Sequence, residues 1–395
     1  IKKALEYRRG ILEMATGSGK TLVAASLISK LKLPTVFFVH TRELLYQTKE
    51  YFETHLGCPI GQIGDGKIQI EPITVATIQT VVRALGEKYQ FFDEEDQDDL
   101  TQVDTARDDI VKLIESAPVV FFDECHHLPA DTCYTVAMKT SNAYYRYGLS
   151  ATPYRADHQD LLIESALGPK IIKINASVLI DQKYLVPPRI KYFNVQSLQN
   201  LGNKDYATVY QQHIVQNPHR NKLITHIVQG MVQEGRTVLI LVQQVKHGLE
   251  LYRLIEGSEF IQGNDSTLKR NKVLKRFKSK ELKVLIATTL ADEGLDVPTL
   301  GCVILAGGGK SETRALQRVG RALRPIEEKT EAIIIDFVDE APYLKEHSMQ
   351  RLQIFKTEPR FTIEIEGELP FDDKSISNNY EITPKRKVKS SAKTV

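Results

Sequence analysis

The sequence predicts an α/β protein of two tandem units, each a mostly parallel sheet flanked by helices. Three observations carry this reading. The chain has 395 residues, too many for one hydrophobic core. Short apolar runs of strand length recur along it and alternate with helical stretches, the rhythm of a parallel sheet covered on both faces. One of those runs leads into Met14-Ala15-Thr16-Gly17-Ser18-Gly19-Lys20-Thr21, a glycine turn set between a strand and a helix.

That turn has the layout of a phosphate-binding loop. Gly17 and Gly19 allow a tight turn in which successive N–H groups point inward at phosphate oxygens, with Thr16 and Ser18 between and beside them. The following helix, starting near Leu22, adds the partial positive charge of its N-terminus. Lys20 is placed to reach the β- and γ-phosphates of a nucleotide, and the Thr21 hydroxyl to ligate Mg²⁺. Met14 stands where the full pattern has a glycine. A glycine-serine loop without function is disfavoured, because strand, loop and helix all agree.

Composition narrows the class. At 42% hydrophobic and 26% charged residues the chain is an ordinary globular protein. The net charge of +2 hides an asymmetry: residues 1–175 hold 19 basic and 24 acidic side chains, the remainder 33 and 26. The mildly basic second half permits a polyanionic partner. No apolar run reaches the length of a membrane span and no signal peptide is visible. Cys58, Cys125, Cys133 and Cys302 show no paired spacing, which suits a reducing compartment such as the cytoplasm. Cys125-His126-His127 with Cys133 lacks a second ligand pair, so no structural zinc is expected. The chain opens at Ile1 as if in mid-helix, which reads as a fragment with elements missing upstream.

Further along, residues 34–39 form a buried-strand pattern ending at His40-Thr41-Arg42, where Thr41 is placed to cap a helix. Residues 73–77 are another strand. Acidic residues crowd between positions 87 and 112, the composition of a solvated insertion. Val119-Val120-Phe121-Phe122 then delivers Asp123 and Glu124 to a strand end, where ligands bind in such sheets. Asp123 suits a Mg²⁺ partner and Glu124 a base that activates water. Residues 147–153 read as a fifth strand and its turn, with Tyr144, Tyr145 and Tyr147 as packing residues. Pro187-Pro188 breaks the pattern, so the connection between units is expected over 175–195. Strands recur at 237–242, 283–288, 302–306 and 332–336. Between the last two, Gln317, Arg321 and Arg324 share one helical face. From Arg360 onward the chain turns polar, ending in a basic tail around Lys385-Arg386-Lys387.

Taken in order, these segments resemble the superfamily 2 helicases and translocases, within them the XPB/UvsW-like and phage DEAD/DEAH-type branch. The matching stretches are 15–21, 40–47, 75–80, Asp123-Glu124-Cys125-His126, Ser150-Ala151-Thr152, 284–298 around Gly294-Leu295-Asp296, and 317–324. The resemblance implies two tandem RecA-like domains: 1–174 with the acidic insertion, a connection 175–195, then 196–345, followed by an extension 346–395. It implies ATP and Mg²⁺ between the domains. Thr16 to Thr21, Asp123 and Glu124 would come from the first, Gly294, Asp296, Gln317, Arg321 and Arg324 from the second. His126, Ser150 and Thr152 would couple hydrolysis to movement. Arg42, Thr77, Gln79, Gln243 and Thr288 would contact nucleic acid, by sequence-independent phosphate contacts, with DNA favoured over RNA. An upstream aromatic–glutamine element that holds adenine in the family is absent here.

The function expected is an ATP-dependent DNA helicase or duplex translocase, acting on branched recombination or repair intermediates. The alternatives are an RNA helicase, the motor subunit of a restriction enzyme, or a nucleotide-switched clamp with little hydrolysis. Glu124, Gln317 and Arg321 speak against the clamp. Oligomeric state is not legible.

Overall fold

The computed structural model describes residues 1–86, 103, 105–128, 131–151, 160–196, 205–288, 300–309, 320, 323 and 329–366. Its first sheet holds β1 (Arg9–Met14), β2 (Thr35–Val39), β3 (Gly61–Gly64), β4 (Lys67–Gln69), β5 (Ile73–Thr77), β6 (Val119–Asp123), β7 (Tyr145–Ser150) and β8 (Lys170–Ile174). The spatial order is β4-β3-β5-β2-β6-β7-β1-β8, parallel throughout except for the β3–β4 hairpin.

Side-chain alternation explains why the central strands are apolar without interruption. Phe37 and Val39 of β2 face one buried layer, with Phe121 of β6, Leu27 and Phe52. Val36 and Phe38 face the opposite layer, with Val120, Phe122, Ile110 and Ile114. A strand with helices on both faces must be apolar at every position. Phe37 stacks on Phe121 at 5.8 Å and Phe38 on Phe122 at 4.7 Å, so β2 and β6 are also tied ring to ring. The helix Arg42–Leu56 starts where expected: Thr41 Oγ1 accepts the Leu44 N–H at 3.3 Å. Tyr147 is buried and its hydroxyl donates to Ala4 O at 2.8 Å, a packing role. Cys125 and Cys133 sit in the apolar layer beside Ile163 and Leu167.

The second sheet holds β9 (Pro188–Val195), β10 (Val238–Val242), β11 (Ser258–Ile261), β12 (Val284–Thr288), β13 (Cys302–Ile304), β14 (Ala332–Asp339) and β15 (Thr362–Glu366). Its order is β11-β12-β10-β13-β14-β9-β15, all parallel. Two apolar layers again cover its faces.

One strand and two boundaries differ from the expected ones. β8 follows Pro169 directly and pairs with β1, where sequence shows only a loosening pattern. The connection expected over 175–195 is shorter, because Pro188–Val195 is a strand between β14 and β15. Proline at the first position of a strand costs no ladder bond, so Pro187-Pro188 does not stop it. The expected extension from 346 begins inside the helix Leu344–Lys356, whose Leu352 and Phe355 are buried in the second core, and β15 follows it as an edge strand. Half-exposed alternation, as in Thr362–Glu366, reads as solvated chain until a neighbouring strand is known. The basic tail and most of the acidic insertion (87–102 and 104) lie outside the described residues.

Candidate nucleotide site and coupling network

The glycine turn sits at the carboxyl end of β1. Gly17 and Gly19 have φ of 83° and 81°, the left-handed region that a β-carbon disfavours. Gly19 starts the helix Lys20–Leu31 with no side-chain cap. Its first-turn N–H groups therefore remain available to an anion. The hydroxyls of Thr16 and Ser18 are buried without a partner among the described residues. Uncapped amides and orphaned hydroxyls beside a lysine are what a bound phosphate chain would satisfy, so the residues present fit a nucleotide.

Across from the turn, β6 brings Asp123 and Glu124 to its carboxyl end. Lys20 Nζ donates to Glu124 Oε1 at 2.8 Å. Glu124 has φ 45° and ψ 52°, a conformation that costs a non-glycine residue about 1–2 kcal/mol and turns its side chain toward Lys20. Burial works against charging either group. Burial alone would lower Lys20, yet the carboxylates of Glu124 and Asp123 carry it above its ordinary value. Burial alone would raise Glu124, yet Lys20 and His126 hold it well below the usual range. Asp123, buried and next to the ionised Glu124, is pushed up to about 6. Of the two adjacent carboxylates Asp123 is therefore the one that takes up a proton first, since Lys20 sits on the other. A divalent cation at Asp123, with the Thr21 hydroxyl, would replace that proton.

From Glu124 a chain of contacts leads away from the turn. His126 Nδ1 lies 3.4 Å from Glu124 Oε2 and 3.1 Å from the hydroxyl of buried Ser150. His126 packs against His127 (4.2 Å between centroids), and His127 against His40 (4.5 Å). Burial, together with His127 and His126, holds the His40 ring well below its ordinary pKa, hence neutral. The His40 carbonyl accepts from Gln79 Nε2 at 2.6 Å. Thus 40–47, 75–80 and 123–126 are physically continuous. His40 opens the stretch 40–47 and His127 follows 123–126, but neither signals this contact in sequence.

The second unit reaches the turn through Gly320. A β-carbon there would lie 2.4 Å from Thr16 Cβ, so glycine permits the close approach. Leu323 is buried, and its carbonyl accepts the Val186 N–H at 2.8 Å. A small cleft beside this contact is lined by Glu13, Thr16, Ala151, Asn175, Gly320 and Glu358, among others. A second bridge, invisible in sequence, joins Arg270 to Glu43 at 3.1 Å. Thr152, Gly294, Asp296, Gln317, Arg321 and Arg324 lie outside the described residues.

Of the five expected nucleic-acid contacts, Arg42 has its side chain at the surface, paired with Asp65 at 3.0 Å. The others are turned into the protein. Thr77 is buried and donates to Thr80 Oγ1 at 2.9 Å, Gln79 is engaged with His40, and Gln243 donates to Gly308 O at 3.1 Å. Thr288 is buried at the end of β12. Strand-end positions put backbone at the sheet edge while their side chains pack, which residue type alone does not reveal.

Two family models match the chain, "Type III restriction enzyme, res subunit" over residues 2–155 and "Helicase conserved C-terminal domain" over residues 219–325. The DNA 3'-5' translocase XPB2 of Sulfurisphaera tokodaii is 26% identical over 383 residues, covering 86% of this chain and 79% of the relative. The ATP-dependent DNA helicase uvsW of Enterobacteria phage T4 is 22% identical, covering 91% and 74%. The solved structure of S. cerevisiae Dbp5 bound to RNA and ADP BeF3 shares the fold with a TM-score of 0.59 at 16% identity, covering 91% of this chain and 85% of that one. The chain spans about half the length of several other curated relatives. Fold and matches define a helicase-type ATPase. Over most of its length the chain is similar to the superfamily 2 helicases and translocases of the XPB/UvsW-like branch. No helix among the described residues is long and apolar enough to cross a membrane.

Proposed function

We propose that the chain is an ATP-driven DNA translocase or helicase that hydrolyses ATP between its two units and moves along DNA through sequence-independent phosphate contacts. The observation that carries this reading is the close approach of Gly320 to Thr16, which brings the second unit against the glycine turn of the first, with Arg321 and Arg324 near Gly320 in sequence. When bound, Mg²⁺ and ATP supply the scissile phosphoanhydride and its charge-neutralising cation. Lys20 neutralises the phosphate chain, Thr21 and Asp123 hold the cation, and Glu124 accepts the proton of the attacking water. Thr16, Gly17, Ser18 and Gly19 would line the phosphates, and the family resemblance assigns Gly294 and Asp296 to the same site. Gln317, Arg321 and Arg324 complete the site when the units close, stabilising charge on the equatorial oxygens.

Movement follows from the same arrangement. His126, Ser150 and Thr152 report the state of Glu124 to the strand ends that carry Arg42, Thr77 and Gln79. Gln243 and Thr288 mark the corresponding edge of the second unit. Strand-end backbone with Arg42 contacts phosphates without reading bases, so affinity falls steeply with salt. Most of the relatives matched over most of this chain are named for DNA and one for RNA, which favours DNA.

The test is the ATPase rate with no polymer, single-stranded DNA, duplex DNA, a four-way junction and RNA. Stimulation by DNA, greatest with the junction, is expected. Stimulation by RNA alone makes the chain an RNA motor. A flat response to every polymer overturns the motor reading in favour of a clamp.

A further inference from the structure

Residues 306–309, Ala306-Gly307-Gly308-Gly309, leave β13 at the carboxyl edge of the second sheet, and the Gly307 N–H donates to Leu241 O at 2.8 Å. Each of their four carbonyls accepts a hydrogen bond from a different side chain. Arg220 Nη1 reaches Ala306 O at 2.7 Å and the Tyr210 hydroxyl reaches Gly307 O at 2.7 Å. Gln243 Nε2 reaches Gly308 O at 3.1 Å and Arg351 Nη1 reaches Gly309 O at 2.7 Å. The donors come from four separate segments of the second unit.

The two arginines are themselves anchored on β14. Arg220 Nε pairs with Asp339 Oδ1 at 2.8 Å, and Arg351 grips Asp336 through Nε at 2.9 Å and Nη2 at 2.8 Å. All four side chains of these pairs are buried. A buried ion pair adds little net stability over well-packed apolar residues. What a planar fork adds is direction: with one edge held by a carboxylate, its remaining N–H aims at a chosen carbonyl.

The loop needs such restraint. A β-carbon on Gly309 would fall 2.1 Å from Gln243 Nε2, and one on Gly307 would fall 2.7 Å from Gln243 N. Gly308 and Gly309 have φ of 58° and 104°. Close approach favours glycine at 307 and 309 and positive φ favours it at 308, and three consecutive glycines have the most backbone freedom to lose. In sequence the loop runs directly toward 317–324, whose Gly320 meets Thr16.

We propose that this four-point clamp, with Arg351 and Tyr210 as its most separable members, is a positioning device that holds the lead-in to 317–324 in register with the glycine turn. Arg351 thereby makes the helix Leu344–Lys356 part of the motor. The inference rests on the reading above, that 317–324 completes the ATP site.

The test compares Tyr210→Phe, which deletes one hydroxyl, with Arg351→Lys, which keeps the charge opposite Asp336 but not the fork. Arg321→Ala is measured alongside. ATP affinity without DNA, and kcat and KM with saturating DNA, are taken per folded molecule, and amide exchange is followed at 307–309. Both variants should bind ATP as the wild type does and exchange faster at 307–309 with β10 and β14 still protected. Turnover should fall in kcat and not in KM, by about 10²-fold for Arg351→Lys, the scale of an ångström of misplacement. A merely structural role would lower the folded fraction and leave kcat per folded molecule unchanged. Unchanged kcat in both variants, with Arg321→Ala inactive, overturns the clamp alone. Normal turnover in Arg321→Ala overturns the reading of the ATP site, and the clamp with it.

Discussion

Lys20 Nζ and Glu124 Oε1 are 2.8 Å apart, so the lysine of the glycine turn and the carboxylate at the end of β6 form one buried ion pair. Each group is held charged mainly by the other. A phosphate chain that draws Lys20 away would remove the cation that most strongly holds Glu124 ionised and leave His126 beside it. The proton affinity of Glu124 then rises, in the direction a general base requires. Binding and activation are linked through one side chain.

Lys20→Ala should weaken nucleotide binding and abolish hydrolysis, because the phosphates lose their point charge and Glu124 its partner. Equilibrium binding of a fluorescent nucleotide, with phosphate release, checks both. Normal turnover in this variant removes the glycine turn from the ATP site.

Glu124→Gln should keep ATP binding and lose the chemical step, since an amide cannot accept the proton of water. A single-turnover experiment separates the two. Turnover at the wild-type rate would mean that another group is the base.

Asp123 titrates near 6, above its value of 3.8 in an unfolded chain. The folded protein therefore binds more protons than the unfolded one between these values, and stability falls as pH rises through that window. In the absence of metal, Asp123→Asn should stabilise the protein at pH 7 by roughly 1–3 kcal/mol and flatten this dependence. Because a cation must displace the proton, Mg²⁺ affinity of the wild type should drop below about pH 6 and level off above it. Thermal unfolding across pH, with and without Mg²⁺, reads both effects. A stability profile unchanged by Asp123→Asn would contradict the assignment.

Gly320→Ala places a β-carbon 2.4 Å from Thr16 Cβ and must push Gly320 off the glycine turn. ATP affinity should survive while DNA-stimulated turnover falls about 10²-fold. Arg321→Ala should cost about 10³-fold or more, with poor rescue by lysine, which lacks the planar fork. Arg324→Ala should act on the same transition state, so the double variant should be far from additive. Steady-state ATPase and DNA binding without nucleotide check all of these. Loss of DNA affinity with full turnover per bound complex would place the arginines on nucleic acid.

What was legible in the sequence was local. Apolar run length located β2, β5, β6, β10, β12 and β14, because a strand buried on both faces is apolar almost without interruption. Thr41 announced its helix, and the spacing of Gly17, Gly19, Lys20 and Thr21 announced the turn, because both depend on a few adjacent backbone angles. Asp123 and Glu124 were legible for the same reason: two carboxylates ending an apolar run have one place to go.

The remaining features depend on which strands become neighbours, and that is decided by sheet order and packing over the whole chain. Pro188–Val195 and Thr362–Glu366 became strands only because β14 and β9 offered free edges. Thr77 and Gln79 turned inward because Thr80 and the His40 carbonyl stand behind them. The approach of Gly320 to Thr16, the bridge from Arg270 to Glu43, and the aim of Arg220 and Arg351 at one glycine loop all join residues far apart in sequence. Local composition names the donors and acceptors, but only close packing in three dimensions chooses among the partners each could have.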